Sequence, residues 1–148
     1  MRNDFLPFHR PSIGEEEVQE VTDALREGWI TTGPRVKRFE DDFSAYLGAE
    51  HSVAVNSGTA ALHLGLAAIG LNKGDEVIVP ANTFTATAEV VVYFGARPVL
   101  VDCRIDTFNI DEQMLEDKIT TKTRAVIPVH IGGQPCEMGA ILDATKRH

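Results

Sequence analysis

A chain of 148 residues with 43% hydrophobic and 24% charged residues fits one globular domain of ordinary size and is not a disordered composition. The net charge of −8, from 22 acidic against 14 basic residues with no Lys/Arg cluster, argues against nucleic-acid binding and against adhesion to an anionic membrane. Cys103 and Cys136 form no CxxC pair, no apolar run nears the ~20 residues of a membrane helix, and Met1 to Phe5 lack signal-peptide features, so a soluble, cytoplasmic protein with two reduced, partly buried thiols is expected.

In chain order, Ser12-Ile13-Gly14-Glu15 reads as a capping box opening a helix with Val18, Val21 and Leu25 on one stripe and a stop at Gly28. Trp29 to Gly33 is a loop. Pro34 suits the first turn of a second helix, with Val36, Phe39, Phe43 and Leu47 on one face and a stop at Gly48. Strand and helix then alternate. His51 to Val55 is predicted as a strand, Thr59 to Ile69 as a helix, Glu76 to Pro80 as a strand and Thr85 to Phe94 as a helix. Arg97 to Asp102 is a strand, Asp111 to Ile119 a helix with Asp111 near its cap, and Arg124 to His130 a strand. Cys136 to Arg147 is a last helix with Met138, Ile141, Leu142 and Thr145 on one side. The strands are short, rich in Val and Ile and apolar on both faces, which predicts an α/β architecture with a parallel sheet covered on both sides and right-handed crossovers. Residues 1–50 read as a helical arm leading into the α/β unit at 51–148.

Several segments could carry chemistry. At Ser57-Gly58-Thr59-Ala60 a strand is expected to run into a helix, so backbone N–H groups converge beside the positive end of a helix dipole. That suits an anion, most simply a phosphate, although an ordinary strand-to-helix turn favours the same residues. The turn is neither a Walker A loop nor GxGxxG. The segment Pro80 to Ala88 lies at a strand C-terminus, where open α/β sheets bind ligands. Its Phe84 is either a platform for a flat ring or a core residue stapling the helix start. Trp29 to Pro34 either wraps over a site or packs Trp29 into the core. His130, at another strand C-terminus, either contacts a ligand or is a satisfied structural histidine. The five histidines show no metal spacing, and Asp102, Asp106 and Asp111 do not match a calcium loop, so no metal is expected and these acids read as caps and solvated loop.

The loop 29–34, Ser57-Gly58-Thr59-Ala60-Ala61-Leu62, Gly74-Asp75-Glu76-Val77, Thr83-Phe84-Thr85-Ala86-Thr87, Gly95-Ala96-Arg97-Pro98-Val99 and Val129-His130 through Gln134-Pro135 occur in one order. Together they resemble the N-terminal part of the DegT/StrS family of nucleotide-sugar aminotransferases, from about Phe8 to the last residue. The resemblance implies the three-layer, mostly parallel sheet of the aspartate-aminotransferase-like (fold type I) large domain, incomplete here and without a small C-terminal domain. It implies pyridoxal 5′-phosphate (PLP) as cofactor, a nucleotide-linked keto-sugar substrate, an amino-acid donor such as glutamate, and a homodimer with interfacial sites. The pathways implied are cell-surface polysaccharide or deoxyamino-sugar biosynthesis. Ser57, Gly58, Thr59 and Ala60 match the family's phosphate cradle, Phe84 its ring platform, and Thr32 and Gly33 its substrate-facing strip, with His130 a further substrate-facing candidate.

The family's acid for the pyridine nitrogen and its cofactor-binding lysine would lie beyond His148. Lys37, Lys73, Lys118, Lys122 and Lys146 sit outside the family's lysine context, on expected helix surfaces or turns. The chain therefore reads as a truncated gene product, a proteolytic remnant or a deliberately shortened chain, inactive alone. A lysine-lacking sugar dehydratase relative and a non-catalytic phosphate-binding, dimerisation or regulatory module are the alternatives. A plain nucleotide-binding domain is disfavoured by the missing Gly-rich fingerprints.

Overall fold

Helix α1 spans Glu15–Glu27 and helix α2 Pro34–Leu47 in a computed structural model that describes Phe5, Pro7 and residues 9–148. Contacts divide the chain into two compact units, Met1–Ala54 and Val55–His148. In the first unit the expected Ser12 cap moves to Gly14, whose N–H donates to Glu17 Oε2 at 2.6 Å. A start at Glu15 keeps a poor helix former out of the first turn and places Glu15, Glu16 and Glu17 against the positive end of the dipole. Both helices stop where expected, at Gly28 and Gly48, each left-handed with φ of 77° and 65°. Arg35 bonds Glu20 and Glu27, and Arg38 bonds Glu20, which ties α1 to α2. The two apolar stripes exist but neither helix buries a residue; Val21, Leu25, Phe39 and Leu47 are all more than half exposed.

The predicted strand at 51–55 is not one. Burial alternates along it, as in an extended chain, but it pairs with no strand among the described residues, and Val53 and Val55 point outward. A strand requires a neighbour for its N–H groups. Here the Ala54 N–H donates to the Glu40 carboxylate on α2 at 2.9 Å, and the Ser52 and Ser44 hydroxyls are 2.8 Å apart.

The second unit holds helix α3 (Gly58–Ala68), strand β1 (Glu76–Pro80), helix α4 (Ala86–Tyr93), strand β2 (Arg97–Val101), strand β3 (Thr123–Val126) and helix α5 (Met138–Arg147). The three strands form one parallel sheet in the order β2-β1-β3, with Ile78 opposite Val99 on one side and Val126 on the other. Every residue of β1 is buried, the charged Glu76 included, and the apolar run from Val77 to Pro80 is what a central parallel strand predicts. Its alternation sorts two cores. Val77 and Val79 meet Leu66, Leu71, Val90 and Val91 under α3 and α4, while Ile78 meets Val99, Val101, Ile110, Leu115 and Ile141 under α5. The unit thus has three layers, with helices on both faces of the sheet.

Three further readings are corrected. The β3 ladder ends early: after the last bond, from the Ile127 N–H to the Ile78 carbonyl, the next residue of β1 facing β3 is Pro80, which has no N–H to donate. The helix expected at 111–119 is two 3-10 turns, Glu112–Met114 and Glu116–Lys118, around the fully buried Leu115. One buried anchor is too little to hold a longer amphipathic helix. Asp111 still caps the first turn by accepting from the Gln113 N–H. Helix α5 buries Ile141 and Ala144 and leaves Leu142 about half exposed, a stripe rotated from the expected one.

Candidate functional site

Ser57 is the N-cap of α3. Its extended backbone lets the side-chain Oγ accept from the Ala60 N–H at 3.1 Å. The Gly58 and Thr59 N–H groups find no acceptor among the described residues, as expected of the first residues of a helix. A Cβ built on Gly58 would meet no atom within 4 Å, so the backbone is open to close approach. Two unpaired donors at the positive end of an 11-residue helix can accept an anion.

This turn sits at the C-terminal edge of the strands, where open α/β sheets bind ligands. Leu66 of α3, with Leu62 one turn earlier, packs on Val77 and Val79, and a short turn joins the end of α3 to the start of β1. Helix α3 therefore runs back along β1, and its N-terminus lies at the strands' C-terminal ends. The loop after β1 leaves from the same edge, where the Ala81 N–H donates to the Val101 carbonyl. The Thr83 and Thr87 hydroxyls lie 2.7 Å apart and tie this loop to the first turn of α4. Phe84 is 79% exposed, so it is not the core staple of the alternative reading.

The loop after β3 carries His130. Its imidazole is exposed, and Nδ1 accepts from the Cys136 N–H at 3.0 Å. Cys136 is buried, and its thiol donates to the Val129 carbonyl at 3.2 Å. Burial pushes the Cys136 thiol up from its ordinary value and keeps it protonated for that bond. Asn109, 3% exposed, was not anticipated. Its Oδ1 accepts from the Ile131 N–H, and its Nδ2 donates to the Gln134 and Pro135 carbonyls. An Asn between Phe and Ile in a polar loop reads as a turn residue, and nothing local marks this one as a buried clamp.

Thr32 and Gly33 belong to the first unit, where Thr32 is exposed. Trp29, 52% exposed, is not the core residue of the alternative reading and lies over Gly33; a Cβ there would come within 2.6 Å of its Cε3. The acids of the 102–111 loop behave as caps and ion pairs. The Arg104 guanidinium beside Asp106 holds its carboxyl below the usual range, and Arg104 also pairs with Glu112. At the opposite edge of the sheet, hydrogen bonds from Arg97 and then Thr120 lower the buried Glu76. All five lysines singled out from the sequence are exposed. A concavity of about 920 Å³ on the open flank of α1 is lined only by residues between Glu15 and Asp23.

The sequence pattern of the DegT/DnrJ/EryC1/StrS aminotransferase family matches residues 11–148. The chain belongs to this family. It is 52% identical over 147 residues to the spore coat polysaccharide biosynthesis protein SpsC of Bacillus subtilis, covering 99% of this chain and 38% of SpsC. It is 45% identical to Spr1654 of Streptococcus pneumoniae, assigned as a sugar aminotransferase and solved in a PLP form, with a TM-score of 0.87 over 96% of this chain and 36% of that one. NtdA from Bacillus subtilis with bound PMP matches at 40% identity and a TM-score of 0.84, covering 91% of this chain and 32% of NtdA. The chain thus spans about a third of the relatives' length, and its α/β fold is that of fold type I.

Proposed function

We propose that this chain forms the phosphate-binding and ring-binding portion of a PLP-dependent aminotransferase. In this reading the enzyme acts on a nucleotide-linked keto-sugar with glutamate as donor, for polysaccharide or deoxyamino-sugar biosynthesis. The observation that carries it is the pair of unpaired N–H groups at Gly58 and Thr59, at the same sheet edge as the exposed Phe84, in a chain of this family. Gly58 and Thr59 hold the cofactor phosphate by backbone donation, and Ser57 and Ala60 fix the turn. Phe84 offers its ring face to the pyridine ring. When bound, the cofactor supplies an electron sink for amino-group transfer. Residues 51–148 supply this part of the large domain, and residues 1–50 are the arm that presents Thr32 and Gly33 to substrate. A cytoplasmic homodimer with the lysine supplied outside these residues completes the reading.

The test is a fluorescence titration of the chain with PLP, with inorganic phosphate as competitor. Saturable binding that phosphate displaces, lost on Phe84→Ala together with Ser57→Ala, is expected. Binding that ignores both phosphate and these two substitutions would refute the cradle.

A further inference from the structure

The loop after β3 is held more tightly than a surface loop needs. Asn109 spends three of the four hydrogen bonds its amide can make on it: one acceptor bond to Ile131 and two donor bonds to Gln134 and Pro135, at 2.9, 3.0 and 3.1 Å. Cys136 closes the loop from its far end, with N–H to His130 Nδ1 and thiol to the Val129 carbonyl. The main chain is thereby anchored on both sides of His130, and the imidazole itself is bonded at one nitrogen. An accepting Nδ1 places the proton of the neutral ring on Nε2. The side chain is exposed, so that N–H is available to solvent or ligand.

Position gives this arrangement its use. β3 is the hydrogen-bonded neighbour of β1, and pairing continues to Ile127, so the His130 loop and the Phe84 loop leave adjacent strands at the same edge. Adjacent strands are about 4.8 Å apart. We propose that His130 is a ligand-binding residue of this site, set by Asn109 and Cys136 as a fixed Nε2–H donor to an acceptor oxygen of the ring compound that stacks on Phe84. Asn109 is a positioning residue: it touches no ligand and acts through the loop. A donor already oriented loses little freedom on binding, which is what the clamp achieves. The proposal rests on the PLP reading above, and its test separates the two.

The experiment is NMR on the 148-residue chain labelled with 15N, with PLP as probe. Without ligand, a through-bond coupling between the Cys136 amide and His130 Nδ1, and an Nε2–H tautomer, are expected. Asn109→Ala should abolish that coupling, while Asn109→Gln retains it in part; α5 amide dispersion reports whether each variant is folded. On adding PLP, His130 Nε2 should shift with the same half-saturation as the Gly58 and Thr59 amides. His130→Ala should weaken binding at least about threefold, the loss of one modest hydrogen bond. An Nδ1–H tautomer, or a missing coupling in the folded chain, overturns the clamp whatever PLP does. Shifts at Gly58 and Thr59 without one at His130 overturn the donor role and leave the cofactor reading standing. No saturable shift anywhere overturns both.

Discussion

Gly58→Val separates binding from folding at the cradle. Gly58 carries no positive φ, and a Cβ there meets no protein atom within 4 Å, so the change adds neither backbone strain nor a clash. Valine is a somewhat better helix former than glycine, so folding stability should move by no more than about 0.5 kcal/mol in either direction. In the proposed reading, the same empty space is where a phosphate approaches the Gly58 and Thr59 N–H groups. A hydrogen bond to a charged group contributes about 1.5–3 kcal/mol, so losing one weakens binding by roughly 10- to 150-fold. Urea denaturation measures the first quantity, and a PLP titration followed by absorbance measures the second. An unchanged midpoint with affinity lowered at least about tenfold is expected. Unchanged affinity in a folded Gly58→Val chain refutes the cradle. Lost affinity with a collapsed midpoint refutes the claim that the space is open.

Ile78, fully buried at the centre of the sheet, should cost about 2–5 kcal/mol on replacement by alanine. Leu100→Ala, at a 59% exposed site on an outer strand, should stay within about 0.5 kcal/mol, and equal losses in urea melts would contradict the layer assignment. Glu76 is lowered in the folded chain, so its contribution is present above the ordinary carboxylate value of about 4.3 and is lost as pH falls through the lowered value. Glu76→Gln should therefore flatten part of the stability loss below that pH; an unchanged pH profile would mean that the Arg97 and Thr120 bonds contribute nothing. Gly33→Ala places a methyl 2.6 Å from the Trp29 ring in an unstrained backbone, so the half-exposed indole must move. Trp29 is the sole tryptophan, so its emission should shift to the red and quench more readily with acrylamide; an unmoved spectrum would contradict the contact.

The sequence alone determined the features whose causes are local. Gly28 and Gly48 stop their helices because glycine takes the left-handed cap without penalty, and Pro34 opens α2 because its missing N–H is not needed there. Ser57 caps α3 with its own hydroxyl, and the five-residue run Glu76–Pro80 could be placed as a buried strand from composition alone. The candidate cradle and Phe84 were legible for the same reason, since a capped helix start and a post-strand loop are local patterns. Only the tertiary structure decided the features that depend on a partner. Val53 and Val55 have strand propensity, but no neighbouring strand pairs with them among the described residues. Residues 111–119 have helix formers, but only Leu115 among them is fully buried, and two short turns suffice. Asn109 looks like a turn residue until the chain brings Ile131, Gln134 and Pro135 to its amide across more than 20 positions. Propensity and capping act between residues a few positions apart and are written in order along the chain. Sheet pairing and buried polar satisfaction act between residues that only folding makes neighbours.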